Sequence, residues 1–330
     1  MATPNSNWGE ITTTTLHHRS KKLAESITDN TALFYLLKEG GAYRPAPGGE
    51  SIIEEFIHEE NGTFMYYSGG EPLNISPSES LSAFAFSWKQ AAIAVTATGL
   101  EIDVQNTGPD QVIDLLSSRV DVAMMTFVNR ITNGMYSDGT GTGGKQIGGL
   151  AHLVPNDPTT GTVGGVNRAT YTFARSQRYR ALTDGGAVAS AANISDYMLA
   201  LWQLCVLNKE HPTGILMDNN YWGFYHQFLS SHQRITKDEK TANAGWRNLD
   251  YMGVPAIMDG GNGGNCPANT AYFLNTKMGH ISYRPHKGRN IVPLKPDRYS
   301  TNQDALVRLV AWAGNMTVRT PRLQGVLINT

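Results

Sequence analysis

The sequence predicts an α+β protein built from more than one lobe. Apolar residues recur every three or four positions through 112–135, which is the spacing of one long helix with an apolar stripe. Short β-prone runs, bounded by Gly, Pro, Asn and Ser, stand both before and after that helix. The chain has 330 residues, which exceeds the usual size of a single hydrophobic core, so we expect two lobes.

The first 46 residues predict an amino-terminal arm. They are polar except for a short apolar patch at 33–37, which is little material for a core. A segment of this composition is typical either of a frayed tail or of an arm that becomes ordered against another subunit.

An extended loop is predicted next. The runs at 52–57 and 64–67 flank the turn dipeptide Asn61-Gly62, which favours a β-hairpin. Two further β-prone runs follow, at 83–88 and 91–97, after a bridge rich in Pro, Ser and Glu.

The long helix is followed by a glycine-rich connection and a short strand. Pro109 suits the first turn of the helix, and Gly134 and Gly139 suit its end. The run at 148–154 is predicted to be a strand, so the glycines would join a helix to a strand.

A second lobe is predicted over roughly 180–275. Ser195 can cap a helix whose apolar residues lie on most sides, as in a buried helix. The runs at 214–217 and 250–258 are strand-like, and 260–265 is predicted to be a surface loop.

The connection GTGTGGKQ, residues 139–146, partly matches a phosphate-binding loop. Gly139, Gly144 and Lys145 fit that pattern, but Gln146 stands where a Ser or Thr hydroxyl must bind Mg²⁺. Such a loop also leaves a strand and enters a helix, which is the reverse of the order predicted here. Asp218 and Asp259 follow the apolar runs 215–217 and 256–258, which is where a nucleotide-binding enzyme can carry the acid that binds Mg²⁺. We therefore interpret the stretch as a flexible loop, with a nucleotide-binding enzyme that uses Lys145 as the alternative.

Other chemical motifs are missing from the sequence. The pairs His17-His18 and His280/His286 lack the spacing of a metal site. No Gly-x-Ser-x-Gly motif occurs, and neither Cys205 nor Cys266 has a neighbouring histidine to mark a nucleophile. The sequence therefore names no catalytic, cofactor-binding or metal-binding residue, although missing motifs do not by themselves exclude an enzyme.

Composition and charge exclude several further classes of protein. The chain carries 27 basic and 28 acidic residues, a formal charge of −1, which argues against a uniformly basic nucleic-acid binder. Its two cysteines form no disulfide framework and fit a reducing compartment. No leader opens the chain and no run approaches the ~18 apolar residues of a membrane span. We expect a soluble protein that is made inside a cell.

Acidic and basic residues are segregated along the chain. Residues 45–88 contain seven acids and neither Lys nor Arg, whereas bases outnumber acids from Lys277 to the end. Both runs can be solvated faces, or the acidic loop of one subunit can lie on the basic region of the next. The second interpretation makes the following residues candidates for a subunit interface: Glu50, Glu54, Glu55, Glu59, Glu60, Glu71, Arg284, Lys287, Arg289, Arg298, Arg319 and Arg322.

Several short motifs stand in a characteristic order after the arm. They are Phe86-Ser87-Trp88-Lys89-Gln90 at the end of the loop, the run 161–168 after the long helix, the apolar-aromatic run 268–276, and the carboxy-terminal runs 312–315 and 322–327. This order resembles the major capsid proteins of tailed bacteriophages, which have the Hong Kong 97-like fold. The resemblance covers most of residues 30–330.

The resemblance implies a division of the chain and a structural role. It places the arm at 1–46, the extended loop at 47–95, a peripheral domain with a spine helix at 96–165 and 277–330, and an axial domain at 166–276. It implies self-assembly into hexamers and pentamers of an icosahedral head that encloses double-stranded DNA. The implied location is the virion, assembled in the host bacterial cytoplasm. The family also includes encapsulin-like nanocompartment shells, which stay open as an alternative.

The partners that the resemblance implies are further copies of the chain, a portal, a decoration protein and a separate scaffolding protein, since the arm leaves no room for a fused one. Sequence-specific DNA binding and membrane contact are not expected. Some relatives join subunits covalently through a lysine on the extended loop. Residues 45–88 contain no lysine and Lys89 lies at the loop's base, so we expect a shell without covalent cross-links.

Overall fold

The structure is a computed structural model that describes residues 32–77, 79–98, 100, 115–231, 248–260, 264–293, 298–299 and 305–330. Helices and several sheets occur together in these residues, so the predicted α+β class is confirmed. Most of the predicted arm, the predicted helix start at Pro109 and the tip of the 260–265 loop lie outside the described residues. In the described part of the chain, no helix is long and apolar enough to cross a membrane.

The chain divides into two compact units. The first contains residues 1–30, 90–131 and 288–313, and the second contains residues 31–89, 132–287 and 314–330. In the first unit, β12 (Val292–Pro293) and β13 (Arg298–Tyr299) pair antiparallel with β14 (Ala305–Val318), and β3 (Lys89–Thr98) pairs with the same strand.

Four helices of eight residues or more are described. They are α1 (Ala32–Glu39), α2 (Leu115–Gly134), α3 (Ile194–Cys205) and α4 (Asn219–Ser231). Single helical turns occur at Gly141–Gly144, Leu150–Leu153, Ala181–Gly185, Thr172–Ala174, Lys277–Gly279 and Pro321–Leu323. The long helix that the period of 112–135 predicts is therefore confirmed over its described length.

A six-stranded mixed sheet forms the core of the second unit. Its strands, in spatial order, are β6 (Gln177–Arg180), β15 (Gly325–Ile328), β10 (Thr270–Leu274), β7 (Gly214–Met217), β9 (Val254–Met258) and β8 (Asn248–Tyr251). Helices α3 and α4 cover one face through buried residues such as Met198, Leu201 and Tyr221. All five residues of β10 are buried, as in a central strand covered on both faces.

The apolar patch near the amino terminus belongs to this core. In α1, Leu33, Leu36 and Leu37 are buried. Leu36 packs closely on Gly214 of β7, since a Cβ atom added to Gly214 would lie 2.2 Å from Leu36 Cδ1. The domain boundaries stay a prediction, and β15, from the segment predicted to be peripheral, pairs with both β10 and β6.

The second unit also contains three described antiparallel pairings outside this sheet. Strand β1 (Ser51–Ile57) pairs with β2 (Leu81–Ser87), and β11 (Ile281–Pro285) pairs with the end of β14, from Ile281↔Val318 to Pro285↔Gly314. A short hairpin joins β4 (Thr162–Val163) to β5 (Val166–Asn167).

The predicted hairpin around Asn61-Gly62 is wrong. The run 64–67 is not a strand, and the partner of β1 is β2, reached through 58–80. The Asn61 side chain accepts hydrogen bonds from the backbone and hydroxyl of Thr63 at 3.0 and 2.7 Å, which makes a local turn. Phe84 and Phe86 of β2 supply the buried alternation that 64–67 lacks.

Three smaller predictions need correction. The predicted strand 148–154 is one helical turn, because Leu150 N–H donates to Met135 O at 2.7 Å directly after the end of α2. Helix α3 begins at Ile194, so Ser195 lies inside its first turn and not at its cap. The run 250–258 is two strands, because Met252 and Gly253 have φ of 52° and 78° and make a tight turn.

Candidate subunit interface

The base of the extended loop is the paired strand segment β1–β2, with one covered and one open face. Ile52, Glu54 and Phe56 of β1 are buried, whereas Ile53 and Ile57 are exposed. This alternation is the period of a strand that is covered on one side only. A carboxylate thus stands on the covered face, where an apolar side chain is the usual occupant.

Glu54 is compensated by side chains of its own chain. It is only 6% exposed. Thr317 Oγ1 donates to Glu54 Oε1 at 3.0 Å, and Arg284 Nη1 lies 3.5 Å from the same oxygen. β11 contributes Arg284 and β14 contributes Thr317, so the contact depends on the pairing of these two strands. Glu54 and Arg284 were predicted to lie on opposite sides of a subunit interface, but here they meet within one chain.

Arg319 makes a second contact of this kind. Its Nε donates to the backbone oxygen of Glu55 at 2.7 Å, while the Glu55 side chain points to the open face. The acidic and basic segments therefore meet inside the subunit at Glu54 and Glu55, the two acids of β1.

The remaining predicted interface residues are not joined to each other in the described part of the chain. Glu59 and Glu60 are exposed and make no ion pair there, and Glu71 only accepts a hydrogen bond from Ser68 N at 3.1 Å. The exposed members of the set also include Glu50, Lys287 and Arg322, whereas Arg289 is half-buried. The Arg298 side chain lies outside the described residues.

The loop beyond β1 exposes large apolar side chains as well as acids. Tyr66 and Ile75 are each 91% exposed, and Phe64, Tyr67 and Leu73 are also open to solvent. Residues 58–77 contain no helix or strand, so no regular element of this segment buries these side chains. The loop therefore combines exposed negative charge with an exposed aromatic surface, a combination that the charge pattern alone did not reveal.

GTGTGGKQ has no phosphate-binding geometry. It follows α2 and precedes the turn Leu150–Leu153, and Gly141–Gly144 is a single distorted turn in which Thr142 and Gly143 have left-handed backbone angles. Lys145 is exposed. The predicted helix before this connection is therefore confirmed, whereas the segment after it is a helical turn and not the predicted strand.

The two acids that follow apolar strands are used by the fold. Asp218 accepts Tyr221 N–H at 3.0 Å and Asn269 N–H at 2.7 Å, so it caps the start of α4. Asp259 accepts a hydrogen bond from the Tyr136 hydroxyl and from backbone groups, and burial raises the pKa of its carboxyl. Neither carboxylate is free in the way that a magnesium ligand must be.

A cavity of about 300 Å³, lined by both polar and apolar residues, lies beside the loop base. Lys89, Asp138, His152 and Asn315 are among its lining residues. Burial lowers the pKa of His152, and the positive charges of Arg168 and Lys89 lower it further. Lys89 Nζ donates to Gly144 O at 2.5 Å, and Asp138 accepts from Thr140 at 3.0 and 2.8 Å, so both charges are held by the chain itself.

Arg168 and Asn315 are structural residues that the sequence analysis did not single out. Arg168 is 3% exposed and donates to the carbonyls of His152 and Thr162. The Asn315 side chain accepts Gly148 N–H at 3.1 Å and donates to Ser87 O at 2.9 Å. The structural role of these two residues follows from hydrogen bonds to residues that are distant in sequence, and no local sequence pattern predicts it. Among the described residues, no group of His, Cys, Asp and Glu is placed to hold a metal.

Comparison with known proteins shows the fold. Neither protein-family models nor curated protein sequences match the chain. The cyanophage A-1(L) capsid subunit superimposes with a TM-score of 0.62 at 15% identity, covering 94% of this chain and 95% of that one. The capsid of Myoviridae phage XM1 gives 0.57 at 12% identity, covering 94% and 98%. An encapsulin from Synechococcus elongatus PCC 7942 gives 0.58 at 9% identity, covering 100% and 96%.

These likenesses extend over nearly the whole of both chains, although identity is low. Agreement of this extent at such identity establishes architecture, while function has to be argued from the surfaces described above. The chain therefore has the Hong Kong 97-like fold of tailed-phage capsid proteins, as the order of its motifs predicted.

Proposed function

We propose that this chain is a major capsid protein, many copies of which associate as hexamers and pentamers into the icosahedral head of a tailed phage. The likeness of fold to phage capsids over 94% of the chain supports this proposal. It performs no reaction and needs no cofactor, and its mechanism is cooperative association. Weak contacts between single copies sum over a closed lattice.

The exposed loop is the observation that carries the proposal. A monomeric protein seldom leaves a cluster such as Phe64, Tyr66, Tyr67 and Ile75 in water. Burying one such side chain against a neighbour contributes about 1.5–3 kcal/mol. Each copy of the shell would then be held by burial of its loop on the next copy.

Charge on the same loop would set the register of this contact. Glu59, Glu60 and Glu71 are exposed, and the predicted basic partners with no described contact at the loop base are Lys287, Arg289 and Arg322, to which the sequence adds Arg298. We propose that the acids of one copy lie on these bases of the next. Single surface pairs contribute only about 0.2–1 kcal/mol, so several must act together.

The proposed contents and partners follow from a phage head. The shell encloses double-stranded DNA without reading its sequence, assembles in the cytoplasm of the host bacterium, and becomes part of the virion. A separate scaffolding protein, a portal and a decoration protein complete the assembly. A mature chain cut from a longer precursor that carried its own scaffolding domain would contradict the separate scaffold.

A bacterial nanocompartment shell is the second candidate. The encapsulin likeness favours it, because that subunit covers 100% of this chain with a TM-score of 0.58, close to the values for the phage capsids. Both candidates predict a closed shell, and they differ in what the shell contains.

Electron microscopy of the purified chain tests the shared part of the proposal, since shells or tubes are expected and a population of monomers alone would overturn it. Nuclease-protected double-stranded DNA in native particles is the result expected for a phage head, whereas enclosed protein without DNA indicates a nanocompartment.

The alternative enzyme is tested by ATP binding to the wild-type chain and to Lys145→Ala. Binding that the substitution abolishes would favour the enzyme.

A further inference from the structure

A buried, charged contact at the base of the extended loop distinguishes Glu54 from the other acids of the loop. The carboxylate lies on the covered face of β1, directly opposite Phe84 in the β1–β2 register. Glu50, Glu59 and Glu60 are exposed. Seven acids thus share one stretch of sequence, but this one has an environment that an apolar residue would fill at lower cost.

The partners of Glu54 come from the sheet on which the loop stands. Thr317 Oγ1 lies 3.0 Å and Arg284 Nη1 lies 3.5 Å from Glu54 Oε1. The Arg284 side chain is 16% exposed, so the pair is largely shielded from water. We call Glu54, Arg284 and Thr317 the loop-base clamp.

Further contacts hold both strands of the loop base in place. Arg319 Nε donates to Glu55 O at 2.7 Å on β1, and Asn315 Nδ2 donates to Ser87 O at 2.9 Å on β2. On the same strand, Ala85 N–H donates to Gly164 O at 3.0 Å. Beyond the last of these contacts, the described part of 58–80 has no regular structure.

Apolar packing at this base is not sufficient to fix a direction. Phe56 stacks on Phe84 with ring centroids 4.3 Å apart, but burial of aromatic rings tolerates sliding and rotation. A shielded ion pair is directional, because any other placement of β1 leaves a charge unpaired in a dry site. The clamp therefore selects one orientation of β1–β2 against alternatives of similar apolar contact.

We propose that Glu54 is a positioning residue of assembly, whose pairing with Arg284 and Thr317 presets the direction in which the loop leaves its own subunit. The inference rests on the proposed function, since the direction matters only if the loop meets a neighbouring copy. Closure of a lattice needs a narrow range of loop directions among the copies, so a loop that samples many directions produces open or irregular assemblies.

Glu54→Gln is the direct test, and Glu55→Gln is its matched control. The first change keeps an acceptor for Thr317 but removes the charge that pairs with Arg284. The second removes an adjacent, exposed carboxylate and keeps the Glu55 backbone oxygen that Arg319 uses. If Glu54→Gln weakens the fold too much to purify, Thr317→Val removes one hydroxyl of the clamp with little change of volume.

Hydrogen exchange of the unassembled subunit separates positioning from general stability. We expect amides of β1 and β2 in Glu54→Gln to exchange about tenfold faster, because the shielded ion pair with Arg284 is lost. Exchange in the six-stranded sheet should stay unchanged. Equal acceleration in both sheets, or none in β1 and β2, would overturn the proposal.

Electron microscopy of assembled Glu54→Gln should show mostly open sheets, tubes or particles of mixed size, while Glu55→Gln forms the wild-type shell. Uniform wild-type shells from Glu54→Gln would overturn the positioning role. If the wild-type chain itself forms no shell, the proposed function fails, and the exchange experiment still decides whether the clamp fixes the loop base.

Discussion

At the scale of single residues, several side chains that resemble functional groups are used to hold the chain together. Asp218 caps α4, Asp259 accepts the Tyr136 hydroxyl, and Arg168 ties together neighbouring carbonyls. Each is buried, and a buried polar group without its partner costs more than the net value of the bond. Substitutions at these positions should therefore change stability, and their effects do not indicate catalysis.

Asp218→Ala should lower the free energy of unfolding by about 2–4 kcal/mol, because it removes a helix cap and leaves two N–H groups without an acceptor. Urea denaturation of the unassembled subunit measures this difference. Asp157→Ala is the control, since Asp157 is an exposed acid that pairs with Arg178 at 3.0 Å, and its loss should be much smaller. Equal effects of the two substitutions would contradict the capping role.

The stability of the subunit should rise with pH through the histidine range. His152 has a pKa lowered from 6.5, mainly by burial, with Arg168 and Lys89 adding to the effect and Asp138 opposing it. Below pH 6.5, His152 is protonated in the unfolded chain but stays neutral in the folded chain until the pH reaches its lower folded pKa. The free energy of unfolding therefore falls as the pH drops through this interval. Thermal melting between about pH 5 and 8 should show a shallower pH dependence for His152→Gln than for the wild type. Parallel curves would refute this assignment.

At the scale of elements, the predicted extended loop has a base of two paired strands, and its described residues between them form no helix or strand. β1 and β2 pair in a fixed register from Ser51↔Ser87 to Ile57↔Leu81, and the hairpin β4–β5 touches them through Gly164. The contact is tight, because a Cβ on Gly164 would lie 2.5 Å from Phe84 Cβ. The base is thus positioned from two sides, by β14 and by this small hairpin.

Gly164→Ala should destabilise the loop base more than Gly165→Ala. Both glycines have positive φ, 53° and 83°, so both substitutions cost about 1–2 kcal/mol in backbone strain. Only at Gly164 does the new methyl group also overlap Phe84, which adds about 1–3 kcal/mol, whereas nothing lies within 4 Å at Gly165. The difference should appear in unfolding free energies and in hydrogen exchange of β2. Indistinguishable variants would show that β2 moves away without cost.

At the scale of the whole molecule, the proposed assembly has to be explained by the surface of the subunit. The fold is that of capsid proteins, and the loop exposes acids and aromatic rings together. We expect the rings to supply most of the free energy of association and the acids to supply register, since exposed charge pairs are weak and screened by salt. The two contributions can be separated by experiment.

Reversing Glu59, Glu60 and Glu71 to lysine should block or misdirect shell formation at low salt, because like charges then face the basic region of the neighbour. Neutral Gln at the same three positions should have a smaller effect, which isolates repulsion from loss of attraction. Light scattering and electron microscopy at low and high salt measure the outcome. Normal shells from the lysine variant at both salt concentrations would contradict the proposed contact between the acids of one copy and the bases of the next.

Mature particles boiled in denaturing detergent should give one band at 36.0 kDa. Residues 45–88 contain no lysine, and Lys89 Nζ is held by the carbonyl of Gly144. A covalent bond to a neighbour needs a neutral amine, and the usual lysine pKa is about 10.4. A ladder of oligomers that survives reduction would refute the absence of cross-links.

The sequence by itself determined the class of the fold, its long helix and most of its buried strands. Those elements carry their own signal, since a period of about 3.6 or an apolar β-prone run reports which face is covered. Strand 214–217 was identified in this way, whereas 268–276, which contains the strand 270–274, was identified through the order of motifs that pointed to the Hong Kong 97-like fold. Charge counting showed that acids concentrate in 45–88 and bases from Lys277 onward, while their role at a subunit interface stays a prediction.

Only the tertiary structure decided which residues of those elements meet. The partner of β1 is 81–87 and not 64–67, and Glu54 pairs with Arg284 across some 230 intervening positions. Such contacts leave no local pattern, because they depend on strand pairing between distant segments, which propensity and periodicity do not encode. The same limit explains why one acid of the loop is a buried structural group while its neighbours in sequence, of identical chemistry, stay in water.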